Sequence, residues 1–198
     1  MNSISVIIGT FGDDSWRTLA ERARMSAEEQ SVRPDEIIMS HEPSLSLARN
    51  RPAERAVGDW LIFLDADDQL DYSYIQAMKD RIVELSGENY LIQPSTLGVV
   101  DGVEDDEPVL IPSKDIHMGN WMVIGTAVRR DVFLDAGGFP DLPCWEDWAL
   151  WARCIHNGAK TTTCPRAIYR VNVHPGSRND PTQQQARAAV QYVQGIFR

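Results

Sequence analysis

Trp60-Leu61-Ile62-Phe63-Leu64 is an unbroken run of five apolar residues, and it stops at Asp65-Ala66-Asp67-Asp68, where three of four residues are acidic. A strand with one face in water alternates apolar and polar residues, whereas an unbroken run suits a strand covered on both faces, as in a parallel sheet with helices on either side. Such sheets bind ligands at the carboxyl ends of their strands, where this run places its acids. Carboxylates spaced Asp-x-Asp can hold a hard cation through oxygen and leave positions for phosphate oxygens and water. The plain alternative is an ordinary acidic turn after a strand.

The rest of the chain supports an α/β reading. Ser3 to Ile8 is a short β-branched run closed by Gly9, and Trp16 to Glu29 carries apolar residues at spacings of three and four with Arg and Glu opposite. A strand at Glu36 to Met39 follows the turn signal Pro34-Asp35. Pro52 is tolerated in the first turn of a helix, so the next helix is predicted to start near Asn50 as N-cap, with Ser44 to Arg49 as a loop. Further expected elements are a helix over Tyr72 to Leu85, a strand over Tyr90 to Gln93, and a hairpin or edge excursion around Asp101-Gly102. Then come a strand over Val123 to Val128, a helix from Trp145 to Asn157 closed by Gly158, a strand over Ile168 to Val173 and a helical tail from Pro181 to Phe197. Gly9-Thr10, Ser40-His41-Glu42 and Asp65 to Asp68 all fall at strand ends and are expected to share one crevice.

With 198 residues the chain fits one domain, and a formal charge of −10 argues against nucleic acid as its main partner, since that binding uses Lys and Arg to neutralise phosphates. An acidic protein that takes an anionic substrate needs a bridging cation, although the excess acid also serves plain solubility. No apolar stretch reaches spanning length, and the first run is too short for a signal peptide, so a cytoplasmic location is expected. Cys144, Cys154 and Cys164 are too few and too far apart for a disulfide framework and are expected to be reduced and mostly buried.

Taken in order, several segments resemble the inverting glycosyltransferases of family 2, which have the GT-A nucleotide-sugar fold. These are Ser5 to Phe11, Leu47-Ala48-Arg49-Asn50, Gly58 to Asp68, Arg129 to Phe133, Gly137-Gly138-Phe139 and Trp145-Glu146-Asp147-Trp148. The likeness runs up to about Ser177. It implies an α/β, Rossmann-like GT-A fold with a mostly parallel sheet flanked by helices. Within one domain over 1–198, residues 1–95 would form the nucleotide-binding half, 96–178 the acceptor and catalytic half, and 179–198 a C-terminal helix.

The resemblance further implies a donor in which a sugar is linked to UDP, GDP or dTDP, a hydroxyl acceptor, and Mn2+ or Mg2+ as cofactor. Thr10 and Phe11 would lie against the nucleotide, Arg49 near its base or phosphates, and Asp65 with Ala66 near the ribose. Asp67 would be the metal ligand, with His174 a second ligand or a structural histidine. Asp147 of the pair Glu146-Asp147 would be the general base. Relatives commonly carry an acidic pair after the second strand; this chain has Ser40-His41-Glu42, with Glu42 as the substitute. Arg129, Arg130 and Arg178 are candidate phosphate contacts or surface arginines, and Trp121 and Trp145 stack on sugar or pack. Relatives also carry anchoring or accessory extensions, so an oligomer or an accessory chain could present the acceptor.

Two other classes share parts of this pattern. A haloacid-dehalogenase phosphatase carries two aspartates after its first strand with Thr or Val soon after, but here they follow the third and Gln69 takes that place. A non-catalytic sugar-nucleotide or glycan binding module would keep the same fold.

Overall fold

The computed structural model describes residues 2–85, 88–173 and 181–198. In chain order the elements are β1 (Ile4–Thr10), α1 (Ser15–Glu28), β2 (Glu36–His41), α2 (Leu45–Arg55), β3 (Trp60–Leu64), β4 (Gln69–Leu70), α3 (Tyr74–Glu84), β5 (Tyr90–Val100), β6 (Val103–Glu104), β7 (Ala127–Arg129), α4 (Arg130–Asp135), α5 (Glu146–His156), β8 (Lys160–Val173) and α6 (Gln183–Ile196).

The strands form one sheet in the order β2-β1-β3-β7-β5-β8-β4, with β6 paired to β5. β1, β2 and β3 are parallel, and β5 and β8 run the same way, while β7, β4 and β6 run against them. The expected parallel core is present, with a short antiparallel strand set into it. Every residue of β1 and β3 is buried, as the unbroken apolar runs require. α1 and α2 both pack on β1. At the end of β3, Phe63 meets Phe133 at 5.2 Å and Phe139 edge-on at 4.8 Å between ring centroids. Each such ring pair adds about 0.5–1.5 kcal/mol beyond its buried area.

The segment Ser44 to Arg49, expected as a loop, is helix. Ser44 is the N-cap, its side chain accepting from the Leu47 N–H, so α2 starts before the position expected of Asn50 and contains Pro52 in its interior. Proline at 52 removes the N–H that would pair with the Ala48 carbonyl. That carbonyl packs against β1 instead: a Cβ on Gly9 would lie 3.0 Å from it. Only glycine lets helix and strand approach this closely. The α2 carboxyl end is held by Arg130, whose Nε donates to the Ala53 carbonyl at 3.1 Å and whose Nη2 donates to that of Glu54.

β5 and β8 extend well beyond the short strands expected of Tyr90 to Gln93 and Ile168 to Val173. Their register jumps at Pro94/Ser95, where the partner changes from Cys164 to Ile168. Prolines 94 and 165 cannot donate to the ladder, and the irregularity absorbs both. Beyond it, β8 pairs with β4 and reaches the loop that follows β3. The expected strand over Val123 to Val128 is reduced to Ala127–Arg129, and α4 was not anticipated. The three cysteines are free and buried, as expected.

Candidate active site

A cavity of about 210 Å3 opens where β1 and β3 end, walled by Thr10, Phe11, Arg49, Asp65 to Asp68, Trp145, Glu146 and Asp147 among others. The strand ends at Gly9-Thr10 and at Asp65 to Asp68 meet there as expected, whereas Ser40, His41 and Glu42 do not line it.

The acidic turn is held from behind. The Asp68 N–H donates to the Asp65 carbonyl at 3.1 Å, closing a tight turn. The hydroxyl of Tyr169, on β8 and fully buried, accepts from the Asp65 N–H at 3.1 Å across 104 residues and shares a hydrogen bond with the Asp68 carboxyl. The Asn172 N–H donates to Asp68 Oδ1 at 2.8 Å, while its side-chain amide donates to the Asp67 carbonyl at 2.5 Å. Gly125 leaves room for the Tyr169 ring, since a Cβ there would lie 2.2 Å from it.

One oxygen from each of Asp65, Asp67 and Asp68 lies within 4.8 Å of the others. Convergent hard oxygen donors fit Mg2+ or Mn2+ and not a soft, thiolate-seeking metal. Burial raises the Asp68 carboxyl well above its ordinary range, and the nearby Asp65 and Asp67 charges add to the effect. Burial likewise raises Asp65, against the opposing charge of Arg49. A cation placed among the three would relieve that repulsion.

Arg49 is buried and connects the two acidic groups of the site. Its Nη2 pairs with Asp65 Oδ1, its Nη1 donates to Glu146 Oε1 at 2.7 Å, and its guanidinium carbon lies 5.0 Å from the centroid of the Phe139 ring. The next residue, Asn50, clamps the same phenylalanine: its Nδ2 donates to the Phe139 carbonyl and its Oδ1 accepts from the Phe139 N–H, both at 2.8 Å. Gly138, at φ 66°, sits under this clamp, and a Cβ on it would lie 2.6 Å from Asn50 Oδ1.

Glu146 and Asp147 open α5 after Trp145, a non-glycine residue at φ 54°. Left-handed backbone at such a residue costs about 1–3 kcal/mol and is retained where the surroundings enforce it. Here it turns the chain into the helix with both carboxylates on the cavity wall. Asp147 Oδ1 accepts from the Trp148 N–H at 2.8 Å, and Oδ2 accepts from Asn120 Nδ2 at 2.9 Å. Burial and the adjacent Glu146 charge push the Asp147 carboxyl up to about 6, with both hydrogen bonds pulling the other way.

Of the residues singled out from sequence, Thr10, Phe11, Arg49, Asp65, Ala66, Asp67, Glu146, Asp147 and Trp145 line this cavity. Glu42 does not: its carboxylate pairs with Arg51. Trp121 is buried in the core, and Arg129 pairs with Asp131. His174 and Arg178 lie outside the described residues. Sequence reasoning missed Trp16, Leu45, Ile124, Val171 and Asn172 as cavity residues. Trp16 counts among the regularly spaced apolar residues of α1, and Val171 and Asn172 carry no local signal, because β8 brings them to the site from late in the chain. Among the described residues no helix is long and apolar enough to cross a membrane.

A model of the family described as "Glycosyl transferase family 2" matches residues 13–96. A search of curated proteins returned no match. Among solved structures, the chain is similar to S. aureus TarS 1–349 in complex with UDP-GlcNAc, at 16% identity and TM-score 0.73 over 98% of this chain and 66% of that one. It is likewise similar to S. aureus TarS 1–349 in complex with UDP, at 16% identity and TM-score 0.70, covering 98% of this chain and 65% of that one. A longer S. aureus TarS structure matches at 18% identity and TM-score 0.64 over 87% of this chain and 37% of that one. The chain thus spans less than two thirds of the TarS chains it resembles.

Proposed function

We propose that the chain, whose residues 13–96 match the family 2 glycosyl transferase model and whose fold is that of the TarS structures, moves a sugar from a nucleoside-diphosphate sugar to an acceptor hydroxyl with inversion. The observation that carries the reading is the shared cavity, which brings the acidic turn after β3 and the Glu146-Asp147 start of α5 to one space. A uridine-linked donor is the first to test, because two of the similar structures hold UDP-GlcNAc and UDP.

In this proposal Thr10 and Phe11 lie against the nucleotide, and residues 1–95 supply the donor side. Asp67, with Asp65 and Asp68 beside it, would hold a divalent cation; when bound, such an ion offsets charge on a departing diphosphate. Asp147 takes the proton from the acceptor hydroxyl as its oxygen forms a bond to the anomeric carbon, while the bond from that carbon to the phosphate oxygen breaks and the diphosphate leaves with the electron pair. Attack from the face opposite the leaving group inverts the carbon. Arg49 holds Glu146 and Asp65 at a fixed separation, so that donor and base sides stay in line. His174 stands as a further proposed metal ligand.

Release of nucleoside diphosphate from UDP-, GDP- and dTDP-sugars, with Mn2+ and with or without hydroxyl acceptors, tests this. Slow release in water is expected for one donor, reduced on the order of a hundredfold or more in Asp67→Ala and in Asp147→Asn. Metal-dependent donor binding with no release or transfer would identify a binding module instead.

A further inference from the structure

Asn120 lies in the irregular segment before β7. Its amide is fixed in one orientation: Oδ1 accepts from the Met122 N–H at 3.1 Å, which leaves Nδ2 to donate to Asp147 Oδ2 at 2.9 Å. The amide group has one acceptor end and one donor end, so the first contact determines which end faces the carboxylate. The segment that carries it is pinned on either side by buried bonds. The Trp148 indole N–H donates to the Ile116 carbonyl at 2.7 Å, and Gln93 Nε2 donates to the Trp121 carbonyl at 2.9 Å.

We propose that Asn120 is a positioning residue for the base: it fixes the rotamer of Asp147 and favours its ionised form, through a segment that belongs neither to the acidic turn nor to α5. The inference rests on the reading of Asp147 as the base. With Oδ1 held by the Trp148 N–H and Oδ2 by Asn120, both carboxylate oxygens are tied. Rotation about the Cβ–Cγ bond is thereby blocked, and the lone pairs that remain are aimed by the helix start. The hydrogen bond from Asn120 acts alongside the Arg49 charge, which favours the ionised form, and against the Glu146 charge, which disfavours it. Across the cavity stand Asp65, Asp67 and Asp68. Of the side chains acting on Asp147, Asn120 can be removed without changing the charge count of the site.

Carboxyl carbon NMR titration of the full chain, with the Asp147 resonance assigned by its loss in Asp147→Asn, reads the effect without any substrate. The Asp147 midpoint is expected to rise by about one pH unit in Asn120→Ala, and further in Asn120→Asp, since a donor to a charged acceptor is replaced first by nothing and then by a like charge. The acid limb of donor hydrolysis, followed with whichever of the UDP-, GDP- or dTDP-sugars the parent hydrolyses, should move by the same amount. Rates of Asn120→Ala well above the limb should stay within about threefold of the parent, because the Trp148 N–H still holds Oδ1 and the ionised fraction is restored there. A merely structural asparagine would lower the rate at every pH and leave both midpoints in place, and that result overturns the proposal. If the NMR midpoint moves while Asp147→Asn hydrolyses donor as the parent does, Asp147 is not the base, and the coupling has no part in the reaction.

Discussion

The Arg49 guanidinium is bound on one side to Asp65 and on the other, 2.7 Å from Nη1 to Oε1, to Glu146, a residue 97 positions away in sequence. One buried cation thus sets the separation between the acidic turn after β3 and the start of α5.

Replacing that cation with a neutral side chain of similar length leaves two carboxylates facing each other without compensation. Arg49→Met is expected to lose about 3–5 kcal/mol of stability in urea denaturation at pH 7.5, the range for removing one partner of a buried pair. Because burial already raises the Asp65 carboxyl, and its protonation removes one of the uncompensated charges, the loss should shrink as the pH is lowered. A loss that is constant with pH would assign the defect to packing.

The Asp147 carboxyl, pushed up to about 6 from 3.8, gives two pH dependences of opposite sense. With Asp147 as the proposed base, activity should rise with pH through about 6. Stability of the metal-free protein should move the other way. A carboxyl that binds its proton more tightly when folded contributes stability at low pH, and this is lost as the pH rises from 3.8 through about 6. The melting temperature of Asp147→Asn should therefore fall less over that interval than that of the parent.

Tyr169→Phe keeps the ring against Gly125 but removes the hydroxyl that accepts from the Asp65 N–H and bonds Asp68. An unpaired buried donor costs about 1–3 kcal/mol. Beyond that loss, calorimetry should find weaker Mn2+ binding, since the turn that presents the carboxylates is no longer tied to β8. Undiminished Mn2+ affinity would mean that Asn172 alone holds the turn.

Asn50→Ala removes both hydrogen bonds to the Phe139 backbone. The expected cost is about 1–3 kcal/mol, and amide exchange should be faster at Phe139 than at neighbouring core positions. Equal protection in parent and variant would contradict the clamp.

How much of this was legible in sequence follows from how local each cause is. The apolar run at Trp60 to Leu64 is its own evidence, and it predicted a strand covered on both faces and acids at its end. The Glu146-Asp147 helix start is equally local. Pro52 misled, because its usual place in a first turn outweighed Ser44, whose capping hydroxyl starts α2 earlier; the proline is tolerated since the carbonyl it orphans packs over Gly9. Arg49 was singled out as a nucleotide contact, but its two carboxylate partners sit 16 and 97 residues on. Tyr169, Asn172 and Asn120 reach the site only through tertiary register, which no window along the chain encodes.

The ties between β8 and the acidic turn constrain any attempt to build chimaeras from this molecule. Under the proposed division into donor and acceptor halves, a graft cut near the middle of the chain would exchange Tyr169 and Asn172 along with the acceptor half. Donor affinity would then change even though every donor-side residue was kept. A cut that also transplants the strand closing the back of the turn would preserve it, so the natural seam for recombination follows the hydrogen bonds and not the midpoint of the sequence.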